Sequence, residues 1–190
     1  MEAPAKERTN PRSRPAYLGM IFFLISELFL FGSLFWTYYY LRAETAVWPP
    51  AGVKPDTLLA GINTIFLLAG SGAMWWAVNR LRKDKENQLA AGLGLTALLG
   101  LVFLGITGWE WAHEVFQPWS HAYGSIFFML TGFHALHVLG GVVFLLILLG
   151  QTRRHKYTPQ DYTPVEIGSL YWHFIDFIWV LVFLSIFIIK

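Results

Sequence analysis

The stretch YGSIFFMLTGFHALHVLGGVVFLLILLG, residues 123–150, contains no Asp, Glu, Lys or Arg. A helix needs about 20 mostly apolar residues to cross a hydrocarbon core of about 30 Å, and this stretch exceeds that length. It is too long and too uniformly apolar for a strand of a membrane barrel, in which apolar and polar positions alternate over short segments. The stretch therefore predicts a transmembrane helix, with His134 and His137 inside it.

Four further apolar blocks of about 20 residues or more flank this one. The predicted fold class is all-α: an integral membrane bundle of five transmembrane helices, preceded by a short tail over residues 1–15 and forming one domain over 16–190. The predicted spans are 16–41, 57–79, 89–109, 123–150 and 167–189.

The composition agrees with a membrane protein. Hydrophobic residues make up 55% of the chain and charged residues only 14%, which is more apolar surface than a soluble domain of 190 residues would use. We find no Gly-rich phosphate loop, no nucleophile elbow and no Ser/His/Asp order. Function is therefore expected inside the bilayer.

Lys and Arg cluster on one side of the predicted five-span chain, and the other side holds only Arg42, Lys54 and Lys190. Because cytoplasmic loops carry an excess of Lys and Arg, we predict a cytoplasmic N-terminus, an external C-terminus and an inner (plasma) membrane location. The net charge of +2 is then explained by the basic residues on the cytoplasmic side, and it does not imply a nucleic-acid partner. The residues on the basic side are Lys6, Arg8, Arg12, Arg14, Arg80, Arg82, Lys83, Lys85, Arg153, Arg154 and Lys156.

The chain has no cysteine. Attached c-type haem, iron–sulfur clusters and cysteine-bridged copper all need thiols, so these centres are excluded. A metal would need His and carboxylate ligands. The one half-site with metal-like spacing, Glu110 and His113, is a single pair, and no metal site is predicted.

Five ionisable residues lie deep in the predicted spans: Glu27, His134, His137, His173 and Asp176. Such groups are costly in hydrocarbon and are functional candidates by default. With a rise of about 1.5 Å per residue, Glu27, His134 and Asp176 lie about 14 to 15 Å deep and form one layer. His137 and His173 form a second layer about 9 Å deep.

Three interpretations of these residues stay open. His134 with His137, and His173 with Asp176, are neighbours on one helical face, so the two pairs are expected to face and hydrogen-bond each other as a structural network. A proton-relay or lipid-headgroup role would centre on Glu27. A haem-binding anchor would use His137 and His173.

Four motifs carry a resemblance to a known family: ISELFLFGSLFWTYYY around Glu27, GWEW at 108–111, GFHALHVLGG at 132–141 and VEIGSLYWHFIDFIWVLVF at 165–183. Together, and in this order over nearly the whole chain, they resemble subunit III of haem-copper respiratory oxidases. The spacing of FHALHV and YWHFID is the specific part, whereas each piece alone is weak.

The resemblance implies a non-catalytic subunit that docks beside the haem-copper subunit I, with subunit II, in a complex that reduces oxygen to water and moves protons. Haem and copper would sit in the partner subunits, and this chain would bind phospholipid and protect proton uptake. Glu27 matches the family's buried carboxylate, and Glu110 matches its acidic residue at the outer end of a span. His134, His137, His173 and Asp176 match its interior polar residues.

The chain departs from the family pattern in length, because many members have seven spans and a lipid-holding cleft. Five-span forms are similar to subunits of quinol oxidases and of nitric oxide reductase systems, so the electron donor stays open. From another class, a small proton-coupled carrier would use Glu27 and His134 as its coupling pair. Five spans do not divide into two equal repeats, and no proline interrupts a span, which disfavours a carrier.

The sequence also contains two weaker patterns. Arg80, Arg82, Lys83 and Lys85 form a basic cluster that would contact anionic lipid headgroups. Gly92, Thr96 and Gly100 recur at every fourth position, which predicts close approach of a neighbouring helix.

Overall fold

The computed structural model describes residues 14–83, 86–158 and 161–189, without the side chains of residues 86 and 87. Most of the predicted tail and the cations Lys6, Arg8, Arg12, Lys85 and Lys190 lie outside the described residues.

Five long helices account for most of the described chain, and apart from a bridge between Thr158 and Asp161 the described ranges contain no β-structure. All five helices are long and apolar enough to cross a membrane, which confirms the predicted bundle of five long apolar helices. Eight of the ten predicted bounds are exceeded by one to four residues, because helices continue into the interfacial region beyond the hydrocarbon core. The second helix begins at the predicted Thr57, and the last helix with its π-helical turn ends at Ile188, one residue before the predicted end. The helices are α1 Arg14–Glu44, α2 Thr57–Leu81, α3 Glu86–His113, α4 Ala122–Thr152 and α5 Thr163–Phe183, followed by a π-helical turn, Leu184–Ile188.

Helices α2 to α5 form the body of the bundle. Helix α2 packs on α3 and α5, and α4 packs on α3 and α5, so the four helices close a ring of contacts. We call the end with Arg14, Leu81 and Thr152 the N-terminal end, and the end with Glu44, His113 and Phe183 the C-terminal end.

The centre of this body is built around Trp172, which is completely buried. Its ring lies against three glycines from three helices: Gly70 of α2, Gly100 of α3 and Gly141 of α4. A Cβ atom added at Gly100 would lie 2.7 Å from the Trp172 ring and 2.8 Å from Val142 Cγ2. The glycines therefore create the space that the indole fills.

Two residues of the predicted small-residue stripe of α3, Gly92 and Thr96, lie against α2. A Cβ atom added at Gly92 would lie 2.4 Å from Ala77 Cβ and 3.2 Å from the Ala73 carbonyl oxygen. The Thr96 hydroxyl donates to Gly92 O at 2.9 Å and lies 3.2 Å from Gly70 O on the other helix. The two backbones can approach closely because these side chains are small.

Helix α1 lies at the edge of the bundle, against α4 and α5. Only 6% of its most apolar window is buried, compared with 33 to 56% for the other four helices. Of its residues only Phe31 and Tyr38 are fully buried. Polar contacts also hold this helix, and these contacts include the candidate site.

The C-terminal end of α5 shows how those contacts work. The π-helical turn leaves carbonyl groups without the usual partners of an α-helix. Tyr38 donates to Ser185 O at 2.7 Å, and Arg42 Nη1 donates to Ile189 O at 2.7 Å. Side chains of α1 thus donate hydrogen bonds to carbonyl groups at the end of the last helix.

Candidate functional site

Glu27 and His137 form a hydrogen-bonded pair between α1 and α4. Glu27 Oε2 lies 2.8 Å from His137 Nε2, and the two side chains are 14% and 15% exposed. The pair lies far from both helix ends and within the span of each helix. It is the contact that brings the predicted carboxylate together with a predicted histidine.

The hydrogen bonds of the imidazole fix how many protons the pair holds. His137 Nδ1 lies 2.7 Å from Phe133 O, and since a carbonyl oxygen only accepts, Nδ1 carries a hydrogen and donates it. The bond between Nε2 and Oε2 needs one further proton, which sits either on the carboxyl or on the imidazole. In both cases the pair carries one exchangeable proton and no net charge.

Two aromatic residues frame the pair. The Phe31 ring meets the His137 ring edge-on, with centroids 5.1 Å apart. The Tyr171 hydroxyl of α5 donates to His137 O at 3.1 Å. Tyr171 thereby ties α5 to the helical turn that carries the histidine.

The expectation that the two pairs of α4 and α5 face and satisfy one another is wrong. His137 bonds to Glu27 on α1, and His173 Nδ1 lies 2.5 Å from Ser71 Oγ on α2. The two-layer arrangement is also wrong for Glu27, which contacts a histidine assigned to the other layer. Depth from helix rise gives height along the membrane normal but not the direction in which a side chain points.

His134 lies in the apolar centre and is completely buried. Neither ring nitrogen has a hydrogen-bond partner among the described residues. The ring packs on Trp179 with centroids 4.8 Å apart and on Phe103 with centroids 5.5 Å apart. A charged imidazole would be very costly here, so His134 acts as a neutral aromatic side chain.

Asp176 is also buried, with 4% of its surface exposed. Neither carboxyl oxygen has a well-formed hydrogen bond within the described chain, although the Ser71 hydroxyl lies nearby. Ser71 therefore stands between His173 and Asp176, both on α5. A hydroxyl can donate only once, and here it lies closest to the histidine.

Glu110 lies near the C-terminal end of α3, as predicted, and is 5% exposed. Its Oε1 has no partner among the described residues, and Glu114 and Asp56 are its charged neighbours. Glu114 follows the helix, and burial and the nearby Asp56 raise its pKa. Asp56 itself caps α2, accepting from Leu58 N and Leu59 N at 3.0 Å.

The basic cluster is partly engaged within the chain. Arg82 Nη2 donates to Glu166 at 3.1 Å and Arg82 Nε donates to Tyr162 at 3.1 Å. These hydrogen bonds raise the pKa of Arg82. Arg80 lies over the Trp76 ring at 5.4 Å, whereas Lys83 is exposed. Contact of this cluster with anionic lipid stays a prediction.

Sequence reasoning missed the residues that orient the candidate site. Ser71 lies between the quoted motifs, whereas Glu166 and Tyr171 lie within the motif at 165–183, and no spacing rule marks any of the three. The signal for Glu166 was its position at the start of α5, where a carboxylate meets the positive end of the helix dipole. Its Oε2 accepts a hydrogen bond from Tyr17, which again ties α1 to α5.

The contacts of His137 disfavour the interpretation that it anchors a haem. Both of its ring nitrogens are already bonded, one to Phe133 and one to Glu27. Ligation of iron would break the pair. Within the described ranges no three His, Asp or Glu side chains are grouped to hold a metal ion.

Comparison with known proteins gives the family. The family model described as cytochrome c oxidase subunit III matches residues 6–190. The chain belongs to the cytochrome c oxidase subunit III family. This confirms the resemblance drawn from the four motifs, which lie along the whole matched region.

Relatives in the subunit III family come from animals and bacteria. The chain is similar to cytochrome c oxidase subunit 3 of Artemia franciscana, with 40% identity over 176 residues, and to that of Branchiostoma lanceolatum, with 35% identity over 176 residues. Each match covers 89% of this chain and 67% of the relative. The subunit 3 of Thermostichus vulcanus is 34% identical over 174 residues, covering 91% of this chain and 87% of that protein. The match to the last relative is close to full length.

Proposed function

We propose that this chain is a non-catalytic subunit of a haem-copper terminal oxidase, which reduces oxygen to water and moves protons. Its partners are the haem-copper subunit I and subunit II, which carry the haem and copper. The family membership supports this assignment. The chain itself is proposed to hold no redox centre, to bind phospholipid, and to lie in the inner (plasma) membrane with its N-terminus in the cytoplasm.

The observation that carries the functional part is the Glu27–His137 pair. The pair holds one exchangeable proton between α1 and α4, and its two side chains are 14% and 15% exposed. A proton held between two atoms 2.8 Å apart moves with little displacement of either side chain. We propose that this pair supports proton uptake by the neighbouring subunit I and responds to phospholipid.

The first experiment is purification of the tagged chain from its native membranes in mild detergent. We expect a larger multi-span haem protein to co-purify and to give a reduced-minus-oxidised haem spectrum with oxygen consumption. A chain that emerges alone and colourless would overturn the assignment and favour a proton-coupled carrier.

The same preparation addresses the electron donor. Oxidation of reduced cytochrome c by the complex supports the cytochrome c type, which the relatives' names favour. Oxidation of quinol, or reduction of nitric oxide, would instead assign the chain to one of the other two systems that use subunits of this kind.

A further inference from the structure

Two phenylalanines of α1 lie one helical turn on either side of Glu27. Phe23 and Phe31 are four positions before and after it, so the three side chains share one face of the helix. The Phe23 ring lies 6.1 Å from the Tyr171 ring of α5, and the Phe31 ring lies 5.1 Å from the His137 ring of α4, measured between centroids. Glu27 therefore lies between two aromatic contacts, one to the tyrosine and one to the histidine.

The Tyr171 hydroxyl lies beside both members of the Glu27–His137 pair. It donates to His137 O at 3.1 Å, and Glu27 is an ionisable neighbour of the same hydroxyl. A Cβ atom added at Gly140 would lie 3.6 Å from the hydroxyl oxygen, so the phenol reaches α4 at the turn that follows the histidine. The hydroxyl thus lies where α1, α4 and α5 meet.

The other ionisable residues in the middle of α4 and α5 make their contacts elsewhere. His173 Nδ1 lies 2.5 Å from Ser71 Oγ of α2, and the same serine hydroxyl lies near Asp176. His134 packs in the apolar centre of the bundle. Within the described part of α5, the hydrogen bond to the pair therefore comes from Tyr171.

The Tyr171 hydroxyl has two acceptors in its surroundings, and they differ in strength. His137 O is also expected to accept an N–H group of its own helix, so the bond from Tyr171 is an additional one. A carboxylate at Glu27 is the stronger acceptor, because hydrogen bonds to an ionised group are roughly twice as strong as those between neutral groups. A neutral carboxyl gains much less from the same donor. The direction of the hydroxyl is therefore coupled to the position of the shared proton.

We propose that the Tyr171 hydroxyl is a positioning group that selects which member of the pair carries the shared proton. Bonded to His137 O, as in this structure, it leaves the Glu27 carboxyl protonated and the imidazole neutral. Turned toward Glu27, it stabilises the carboxylate: the Oε2–H bond breaks, a bond between that hydrogen and His137 Nε2 forms, and the imidazole becomes an imidazolium. Tyr171 keeps its own proton, and the net charge of the pair stays zero. The proposal rests on the proposed function for the role of the pair in proton uptake.

The test is infrared spectroscopy of the intact complex, because a carboxylic acid and a carboxylate absorb in separate bands. The bands of Glu27 are those lost in Glu27→Gln. Tyr171→Phe removes the hydroxyl and keeps the ring that packs on Phe23. We expect this variant to raise the ratio of carboxylic acid to carboxylate at Glu27 severalfold, because the carboxylate loses its donor.

Two results of this measurement would overturn the proposal. One is an unchanged ratio in Tyr171→Phe, even where the variant is less stable, since a purely structural role lowers stability without moving the proton. The other is a parent protein in which Glu27 gives no carboxylate band, because the second position of the proton is then absent.

Tyr123→Phe is the matched control. Tyr123 is a buried tyrosine of α4 whose hydroxyl has no hydrogen-bond partner among the described residues, and its acidic neighbours are Glu114 and Glu110. We expect this variant to leave the bands of Glu27 unchanged. An equal change in Tyr123→Phe and Tyr171→Phe would show a general effect of removing a hydroxyl and would overturn the proposal.

A second measurement leaves Tyr171 in place and serves if Tyr171→Phe does not assemble. Ring-deuterated tyrosine identifies the phenolic C–O bands, which respond to the hydrogen bond of each hydroxyl. We expect Glu27→Gln to shift one tyrosine band, because Tyr171 has Glu27 as a neighbour. Tyrosine bands identical to those of the parent would overturn the proposal.

Proton uptake and the haem spectrum of the same preparations report on the proposed function. Slower uptake in Glu27→Gln together with an unchanged band ratio in Tyr171→Phe would remove the role of Tyr171 and leave the proposed function standing. Parental uptake in Glu27→Gln together with a changed ratio in Tyr171→Phe would support the role of Tyr171 and remove the proposed role of the pair in uptake.

Discussion

Glu27 and His137 lie 110 positions apart in the chain, and their side chains are joined at 2.8 Å across the α1–α4 contact. The pair is neutral as a unit, because His137 Nδ1 is committed to Phe133 O and one proton is shared at Nε2. A neutral pair avoids most of the cost of an isolated charge in hydrocarbon while it keeps a mobile proton.

Replacement of Glu27 by Gln should remove the exchangeable proton of the pair but keep a hydrogen bond to His137. The amide introduced by Glu27→Gln can still donate to the neutral His137 Nε2, but it has no exchangeable acid proton. We expect thermal stability within about 1 kcal/mol of the parent and slower proton uptake by the complex. Stability is measured by unfolding in mild detergent and proton uptake in the intact oxidase.

His137→Gln serves as the companion variant, since it removes the imidazole and keeps a polar side chain. If Glu27→Gln leaves proton uptake unchanged, or if it removes haem from the complex, the proposed role of the pair is wrong.

Substitutions at His134 should show that its ring, not its nitrogens, matters for stability. We expect His134→Phe to change the free energy of unfolding by less than about 1.5 kcal/mol, because it conserves most of the volume between Phe103 and Trp179. His134→Ala should cost about 2 to 5 kcal/mol, as other cavity-forming changes in cores do. Equal losses in both variants would point instead to a hydrogen bond of the imidazole.

Asp176→Asn should be nearly neutral for stability. Neither carboxyl oxygen has a well-formed hydrogen bond in the described chain, and a buried carboxyl without a cation is neutral, like an amide. We expect a change below about 1 kcal/mol in the free energy of unfolding. A loss of about 2 kcal/mol or more would indicate that the carboxyl holds α2 and α5 together.

Gly100→Ala should destabilise the bundle, because its Cβ atom would lie 2.7 Å from the rigid Trp172 ring. The expected cost is about 1 to 3 kcal/mol, typical of overpacking in a core. Gly72→Ala is the control, since open space surrounds that position. It should be neutral or stabilising by up to about 1 kcal/mol in the same unfolding measurement. Similar behaviour of both variants would contradict the packing described for Trp172.

The ion pair of Arg82 and Glu166 should contribute little by itself. The Arg82 side chain is 54% exposed, so solvent screens the interaction. We expect Arg82→Gln to cost about 0 to 1 kcal/mol, with the difference shrinking as salt is added. Glu166→Gln should cost more than Arg82→Gln, because Glu166 also accepts from Tyr17. The comparison is made by unfolding at two salt concentrations.

Hydropathy predicted the five helices because the length of each apolar block is set directly by the thickness of the membrane. The close packing of Gly92 and Gly100 was also predictable, since small residues at every fourth position share one helical face. The pairing of the buried polar residues was not. The prediction assumed that the polar pair on α4 would contact the polar pair on α5. Which face a helix turns toward each neighbour, however, depends on how it packs against all of its neighbours.

His134 shows the same limit in another way. Its i,i+3 relation to His137 suggested a shared role, yet one ring packs among Phe103 and Trp179 while the other contacts α1. Residues three apart on a helix point about 60° away from each other around its axis, which is enough to direct two neighbours to different surroundings.

The edge position of α1 has a consequence for how the protein is made. Its partner His137 lies 110 positions after Glu27, and its partners Glu166 and Ser185 lie still later in the chain. Helix α1 is therefore synthesised well before α4 and α5, which hold it in the bundle. Glu27 gains the histidine that shares its proton only once α4 has been synthesised.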